Sequence, residues 1–199
     1  DYAFVGSKSL ETVKCPDSLE TIGDSAFFDC ENLKTVELPE DLITIEGAVF
    51  QSCKNLETIE LPDSLETIGA FAFLDCVALK NIKLPDSLMD LGRDAFKGCT
   101  SLTSLKIPKY VRNIAKSLVA KCPNLEVLYI PSTITKFSKG CFLNSSFKEI
   151  RVYGGELSKG AKISLASALK LDRELERKSS DAYIRTTANG VDVKIIQND

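Results

Sequence analysis

The sequence has no histidine, no tryptophan and a single methionine in 199 residues. Without an imidazole there is no Ser-His-Asp or Cys-His nucleophile pair, no unperturbed base near neutral pH and no His-containing zinc site. The commonest routes to an enzyme are closed. The chain also lacks an excess of one charge: 25 Lys and Arg stand against 28 Asp and Glu, a formal net charge of -3 with both signs mixed along the chain. No basic field is available to hold nucleic acid. No apolar run approaches the roughly 20 residues of a membrane-spanning helix, so no membrane insertion is expected of these residues. The N-terminal DYAFVGSKSL has neither the charged nor the apolar region of a secretory signal. With 44% apolar residues the chain can still bury a continuous core.

What is present is a repeat. FFDCENLKTVELP at 27–39 returns as FQSCKNLETIELP at 50–62, FLDCVALKNIKLP at 73–85 and FKGCTSLTSLKIP at 96–108. Pro16, Pro39, Pro62, Pro85, Pro108 and Pro131 mark a period of 23 through six rungs. Three residues after each proline comes Leu19, Leu42, Leu65, Leu88, Val111 or Ile134, and three later Ile22, Ile45, Ile68, Leu91, Ile114 or Phe137. Next are an aromatic column, Phe27, Phe50, Phe73, Phe96 and Phe142, broken by Val119, and a cysteine column, Cys30, Cys53, Cys76, Cys99 and Cys122. The rung closes on Leu33, Val36, Leu38 and their equivalents. One rung cannot bury its own apolar face, so the rungs must stack, and the alternating LKTVELP becomes one strand of a parallel sheet.

The chain starts in phase. Phe4, Leu10, Val13 and Cys15 fall in the columns of a rung whose first half is missing, so Asp1 is expected to be a cut and that rung to be open to end-to-end self-association. Near residue 150 the period shortens: Phe142, Phe147, Ile150 and Val152 keep the pattern with one residue deleted between Ser145 and Phe147.

The unit LPDSLETIGAFAFLDCVALKNIKL at 61–84 resembles the BspA-type class of leucine-rich repeats, and the resemblance covers about residues 1 to 153. It implies a leucine-rich-repeat solenoid of α/β repeat class with 23-residue rungs and one parallel β-sheet face. Members of that family are mostly surface or secreted proteins of bacteria and some protists, implicated in adhesion to host matrix proteins and to other cells. The resemblance therefore implies a non-enzymatic, protein-binding scaffold at the cell surface or outside the cell, with host extracellular-matrix proteins among its partners. It transfers no binding motif residue by residue.

The cysteine column admits a metal site, a disulfide ladder or a row of small buried thiols. No CxxC pair is present, which disfavours metal, and same-facing side chains in a ladder seldom meet disulfide geometry. Free buried thiols are the expectation, with Cys15 and Cys141 packed likewise; neither metal nor cofactor is expected. Reduced thiols leave open a second reading, an intracellular, cytoplasmic interaction scaffold.

Between the inward columns, Lys14, Glu37, Glu60, Lys83, Lys106, Tyr129 and Arg151 form an outward strip, acidic early and basic-aromatic late. Such a strip is either a solvated face or a recognition face. After the prolines, Asp17, Glu40, Asp63 and Asp86 give way to Lys109, and Ser87 gives way to Tyr110. Lys83, Lys106, Lys109, Tyr110, Arg112, Tyr129, Arg151 and Tyr153 thus make a basic, Tyr-bearing candidate partner site. The acidic corner lacks the oxygen density that calcium requires.

From Gly154 the period is lost. Residues 154–199 read as a cap on the 1–153 solenoid: an amphipathic helix at about 161–178 with Leu165, Ala168, Leu169 and Leu175 on one face, then a hairpin at about 182–196 turning on Asn189-Gly190. A small independent module is the rival reading.

Overall fold

The computed structural model describes residues 1–146 and 148–169, and the backbone of strands Tyr183–Ala188 and Val191–Gln197. Phe147, Leu175 and the Asn189-Gly190 turn lie outside the described residues.

The rungs stack so that equivalent strands follow one another along two ladders. Thr12–Lys14 pairs parallel with Thr35–Glu37, Thr58–Ile59 with Asn81–Ile82, and Ser104–Lys106 with Val127–Pro131, all in a register of 23. Val127–Pro131 then pairs with Glu149–Tyr153 as Val127↔Glu149, a register of 22 that absorbs the deletion. This first ladder, hydrogen-bonded as three successive sheets with breaks between Glu37 and Thr58 and between Ile82 and Ser104, is the face that the alternation implied: Val36, Ile59, Ile82, Leu105, Leu128 and Ile150 point inward.

The structure adds a second ladder. Thr21–Ile22, Thr44–Ile45, Thr67–Ile68 and Asp90–Leu91 form a four-stranded parallel sheet, and Asn113–Ile114 pairs with Lys136–Phe137. Strands of two residues are too short to show alternation, which is why sequence pattern alone misses them. Between the two ladders the chain turns at the proline corner, where Ser64 and Ser87 hydroxyls donate to Leu42 and Leu65 carbonyls of the preceding rung, each at 2.7 Å.

The rest of each rung is turn, and it is as regular as the sheets. Two columns sit in the left-handed region: Ser25, Ala48, Phe71, Asp94, Ser117 and Gly140, then Asp29, Ser52, Asp75, Gly98, Lys121 and Asn144. Non-glycine residues pay about 1–2 kcal/mol there, yet most are held by the next rung: Ser52 N–H donates to Leu74 O and Asp75 N–H to Lys97 O, both at 2.8 Å. Backbones approach closely enough on this side that a Cβ on Gly92 would lie 2.4 Å from the Gly69 carbonyl carbon.

Inside, the aromatic column is a stack. Phe4, Phe27, Phe50, Phe73 and Phe96 follow one another with ring centroids 5.3 to 5.6 Å apart. Beside it run the free, buried cysteines. Five of the thiols donate to the carbonyl of the Phe one rung before: Cys30 to Phe4 at 3.0 Å, Cys53 to Phe27 at 3.3 Å, Cys76 to Phe50 at 3.0 Å, Cys99 to Phe73 at 3.2 Å and Cys122 to Phe96 at 3.1 Å. Ser145 takes the same column in the next rung, and its hydroxyl donates to Val119 O.

Each ladder ends on a different device. Val191–Gln197 adds in parallel to Glu149–Tyr153 (Glu149↔Lys194, Ile150↔Ile195) and pairs antiparallel with Tyr183–Ala188 (Arg185↔Lys194), extending the first ladder to the order hairpin, last rung, earlier rungs. The second ladder meets the helix Lys159–Ala168, N-capped by Ser158, whose Oγ accepts from Ala161 N. Ala161, Leu165 and Leu169 are buried on the solenoid core, with Ala168 packed beside them. Ser164 serves in place of another rung: its Oγ accepts from Phe137 N at 2.7 Å and donates to Phe137 O at 3.1 Å.

Candidate protein-binding surface

Strand pairing brings Lys106, Tyr129 and Arg151 into one row, since Tyr129 is registered with both others. Parallel pairing superimposes equivalent positions, at a step of 23 from Lys106 to Tyr129 and of 22 from Tyr129 to Arg151 where the one-residue deletion is absorbed, so the row is a direct product of the repeat. Across it, cations and rings interleave. The Arg151 guanidinium lies 5.5 Å from the Tyr129 ring centroid, and Lys106 Nζ 5.0 Å from the ring of Tyr153. At the proline corner Lys109 Nζ stands 4.8 Å from the Tyr110 ring. Each contact contributes about 0.5–1 kcal/mol when exposed.

The members differ in how free they are. Arg151 is committed: its Nε donates to Glu149 Oε2 at 2.7 Å, and that carboxylate holds the guanidinium pKa above its usual value. Tyr153 is half-buried and lies back along the axis, its hydroxyl donating to Ile107 O at 2.6 Å, two rungs away. Burial, with the Asp86 carboxylate as a lesser contribution, pushes its pKa up to about 12. Tyr110 is the reverse, 47% exposed. In its column Ser64 and Ser87 tie the corner to the preceding rung; Tyr110 puts a ring into solvent instead.

Lys83 and Lys106 line a groove of about 380 Å³ with Asp63, Asp86, Pro85 and Pro108. A shallower one of about 220 Å³ beside it carries Lys83, Lys106 and Tyr129. Arg112 does not join them. It is exposed past the corner, just before Asn113–Ile114 of the second ladder, and outside these ring contacts. The structure thus brings together Lys83, Lys106, Tyr129, Arg151 and Tyr153, pairs Lys109 with Tyr110 at the corner, and sets Arg112 apart. Sequence reasoning missed Glu149 as the partner of Arg151, although strand alternation places the two on one face. It had no means of finding the Ile107 carbonyl under Tyr153, which is a backbone atom.

No group of three or more His, Cys, Asp or Glu among the described residues is placed to hold a metal ion. No helix among them is long and apolar enough to cross a membrane.

The model of the BspA type leucine-rich repeat region matches residues 1–73 and 44–159, in six copies. The chain belongs to the BspA type leucine-rich repeat family. Among solved structures, this family member is similar to a leucine-rich repeat protein of T. pallidum, with 31% identity and a TM-score of 0.65 over 84% of this chain and 74% of the other. A leucine-rich repeat protein from Bacteroides ovatus is 27% identical, with a TM-score of 0.58 over 77% of this chain; the match spans 46% of that protein. A leucine rich cell surface protein from Faecalibacterium prausnitzii, 22% identical with a TM-score of 0.55 over 84% of this chain and 65% of the other, shares the fold. No curated protein matches the sequence.

Proposed function

We propose that this BspA type repeat protein is a non-enzymatic scaffold that binds a protein partner through the basic, Tyr-bearing end of its first ladder, and that it serves as a bacterial cell-surface or secreted adhesin. The observation that carries the reading is Tyr110 with Lys109. At this corner the hydroxyl that ties the rungs together at Ser64 and Ser87 gives way to an exposed ring with the Lys109 ammonium over it. Exposed Tyr beside cations is the composition of interface anchors, and repeat proteins use their continuous sheet side for recognition. The surface location and host-matrix partner rest on the family.

The test is capture of the chain on immobilised host matrix proteins, in parallel with capture of partners from lysate of its own cells, each at low and high salt. Salt-sensitive matrix binding that the Tyr110→Ala/Tyr129→Ala variant loses supports the adhesin. Selective capture of a cytosolic protein instead supports the intracellular scaffold, the reading that the buried free thiols keep open. Equal capture by the variant removes the patch from either reading.

A further inference from the structure

Two neighbouring columns of charge along the first ladder obey opposite rules. The column just before each strand alternates, Glu11, Lys34, Glu57, Lys80, and neutralises itself: Lys34 lies 2.8 Å from Glu11 and Lys80 2.7 Å from Glu57. The outward strip does not alternate. It runs Lys14, Glu37, Glu60, Lys83, Lys106, Tyr129 and Arg151, the first five exposed and the last two half-buried, with Glu60 and Lys83 just past the ends of their two-residue strands. Its one internal ion pair among the described residues is Lys14–Glu37 at 3.6 Å. Two of its steps, Glu37 to Glu60 and Lys83 to Lys106, set like charges one rung apart, at the two places where neighbouring strands of this ladder are not hydrogen-bonded to each other, and like charges so placed are destabilising.

Reversed end to end, this strip is its own complement. A two-fold axis parallel to the strands, passing between the Glu60 and Lys83 rungs, keeps the strip facing itself and reverses rung order. Glu60 then faces Lys83, Glu37 faces Lys106 and Lys14 faces the Tyr129 ring, each pair occurring twice. Other registers fail. An axis through the Glu60 rung sets Glu60 on itself and Lys14 on Lys106; one through the Lys83 rung sets Lys83 on itself; one between Lys83 and Lys106 sets those two lysines together.

We propose that the outer face of the first ladder docks on a second copy of this chain, antiparallel and in that one register. The partner supplies the counter-charge that each like-charged step lacks, and an isologous contact of this kind closes at two copies. At the proline corner Asp63 and Asp86 oppose each other across the same axis, a like-charge cost set against six matched positions. Six rungs of narrow sheet fall short of the about 800 Å² per partner of a standard interface. The dimer is therefore weak, and its exposed ion pairs are screened by salt. This inference goes beyond the binding reading and competes with it: Lys106 and Tyr129 belong to both surfaces, whereas Lys109 and Tyr110 stand at the corner, outside the strip.

Sedimentation velocity of the whole 199-residue chain tests it. A concentration-dependent dimer at low salt that dissociates at high salt is expected. Lys83→Glu/Lys106→Glu and Glu37→Lys/Glu60→Lys should each weaken association at least tenfold, while a one-to-one mixture of the two associates. The fourfold variant restores the homodimer, because its reversed strip is again self-complementary. All eight altered side chains in the pair are exposed, so thermal melts of the variants should overlay the parent. A chain that stays monomeric at low salt, or a dimer indifferent to these reversals, overturns the proposal. Capture of a partner by a monomeric chain would leave the binding reading standing alone.

Discussion

The thiol of Cys76 donates to the carbonyl oxygen of Phe50 at 3.0 Å, and the same oxygen accepts the backbone N–H of Cys53 at 3.1 Å. One acceptor thus closes a turn within its own rung and ties that rung to the next. A carbonyl has two lone pairs, and a buried one left with an unmet partner is costly. Cysteine suits the place because it is small enough for the space beside the stacked rings and still carries a donor.

That burial makes alkaline pH destabilising. The thiols of Cys76 and Cys99 are raised well above the ordinary 9.0, and those of Cys122 and Cys141 to about 12, chiefly by desolvation; Cys53 is raised also. The unfolded chain therefore loses these protons first. Above about pH 9 it binds fewer protons than the folded chain, so stability is intact below that pH and falls as pH rises toward the folded values. Five such thiols together remove up to about 7 kcal/mol per pH unit. Circular dichroism should show cooperative unfolding within about two units above pH 9, against an ordinary stability of about 5–15 kcal/mol. Thiolate absorbance rising near pH 9 with the fold intact would contradict this.

A left-handed position and a close backbone approach predict opposite signs for two glycine exchanges. Lys121 has φ 58° and an exposed side chain, so Lys121→Gly should relieve strain and stabilise by about 0.5–1 kcal/mol. Gly92→Ala places a Cβ against the Gly69 backbone and should cost about 1–3 kcal/mol as overpacking. Urea denaturation of both variants gives the comparison. Similar midpoints would mean that the rungs are not packed as closely as described.

Ser164→Ala tests the helix as an end seal. It removes the partner of the Phe137 N–H, an expected loss of about 1–2 kcal/mol, with faster amide exchange at Phe137 than at Ile114. Unchanged exchange would show that the helix does not close the second ladder.

For the binding surface, Tyr110→Ala with Tyr129→Ala should weaken partner capture at least tenfold and shift the melting temperature little, since Tyr110 is exposed and Tyr129 only half-buried. Phe73→Ala is the contrasting control. Its ring is stacked 5.4 Å from both Phe50 and Phe96, and its loss should cost about 3–5 kcal/mol. Equal binding by the Tyr variant, or an unaltered melt of the Phe variant, would separate the two roles wrongly assigned.

Much of this is visible in the columns. A side chain repeated every 23 residues can only form a ladder once rungs stack, so the Pro, Phe, Cys and Leu columns foretell the core, and Lys106, Tyr129 and Arg151 foretell a row. The left-handed columns were hidden, because Ser25, Ala48, Phe71 and Asp94 share no chemistry; what they share is a backbone angle enforced by the neighbouring rung. Glu149 was visible beside Arg151, but its 2.7 Å contact depends on rotamers that no pattern records.

The sequence by itself determined the period, the stacking, the inward columns and the family, because apolar residues recurring at a fixed step leave only one way to be buried together. Tertiary structure alone decided which polar groups are already satisfied. It paired Arg151 with Glu149, laid Tyr153 back onto Ile107 O, gave the five thiols from Cys30 to Cys122 each a carbonyl and joined the second ladder to Ser164. Those choices turn on distances of about 3 Å between atoms of different rungs, which exist only after the rungs have been stacked.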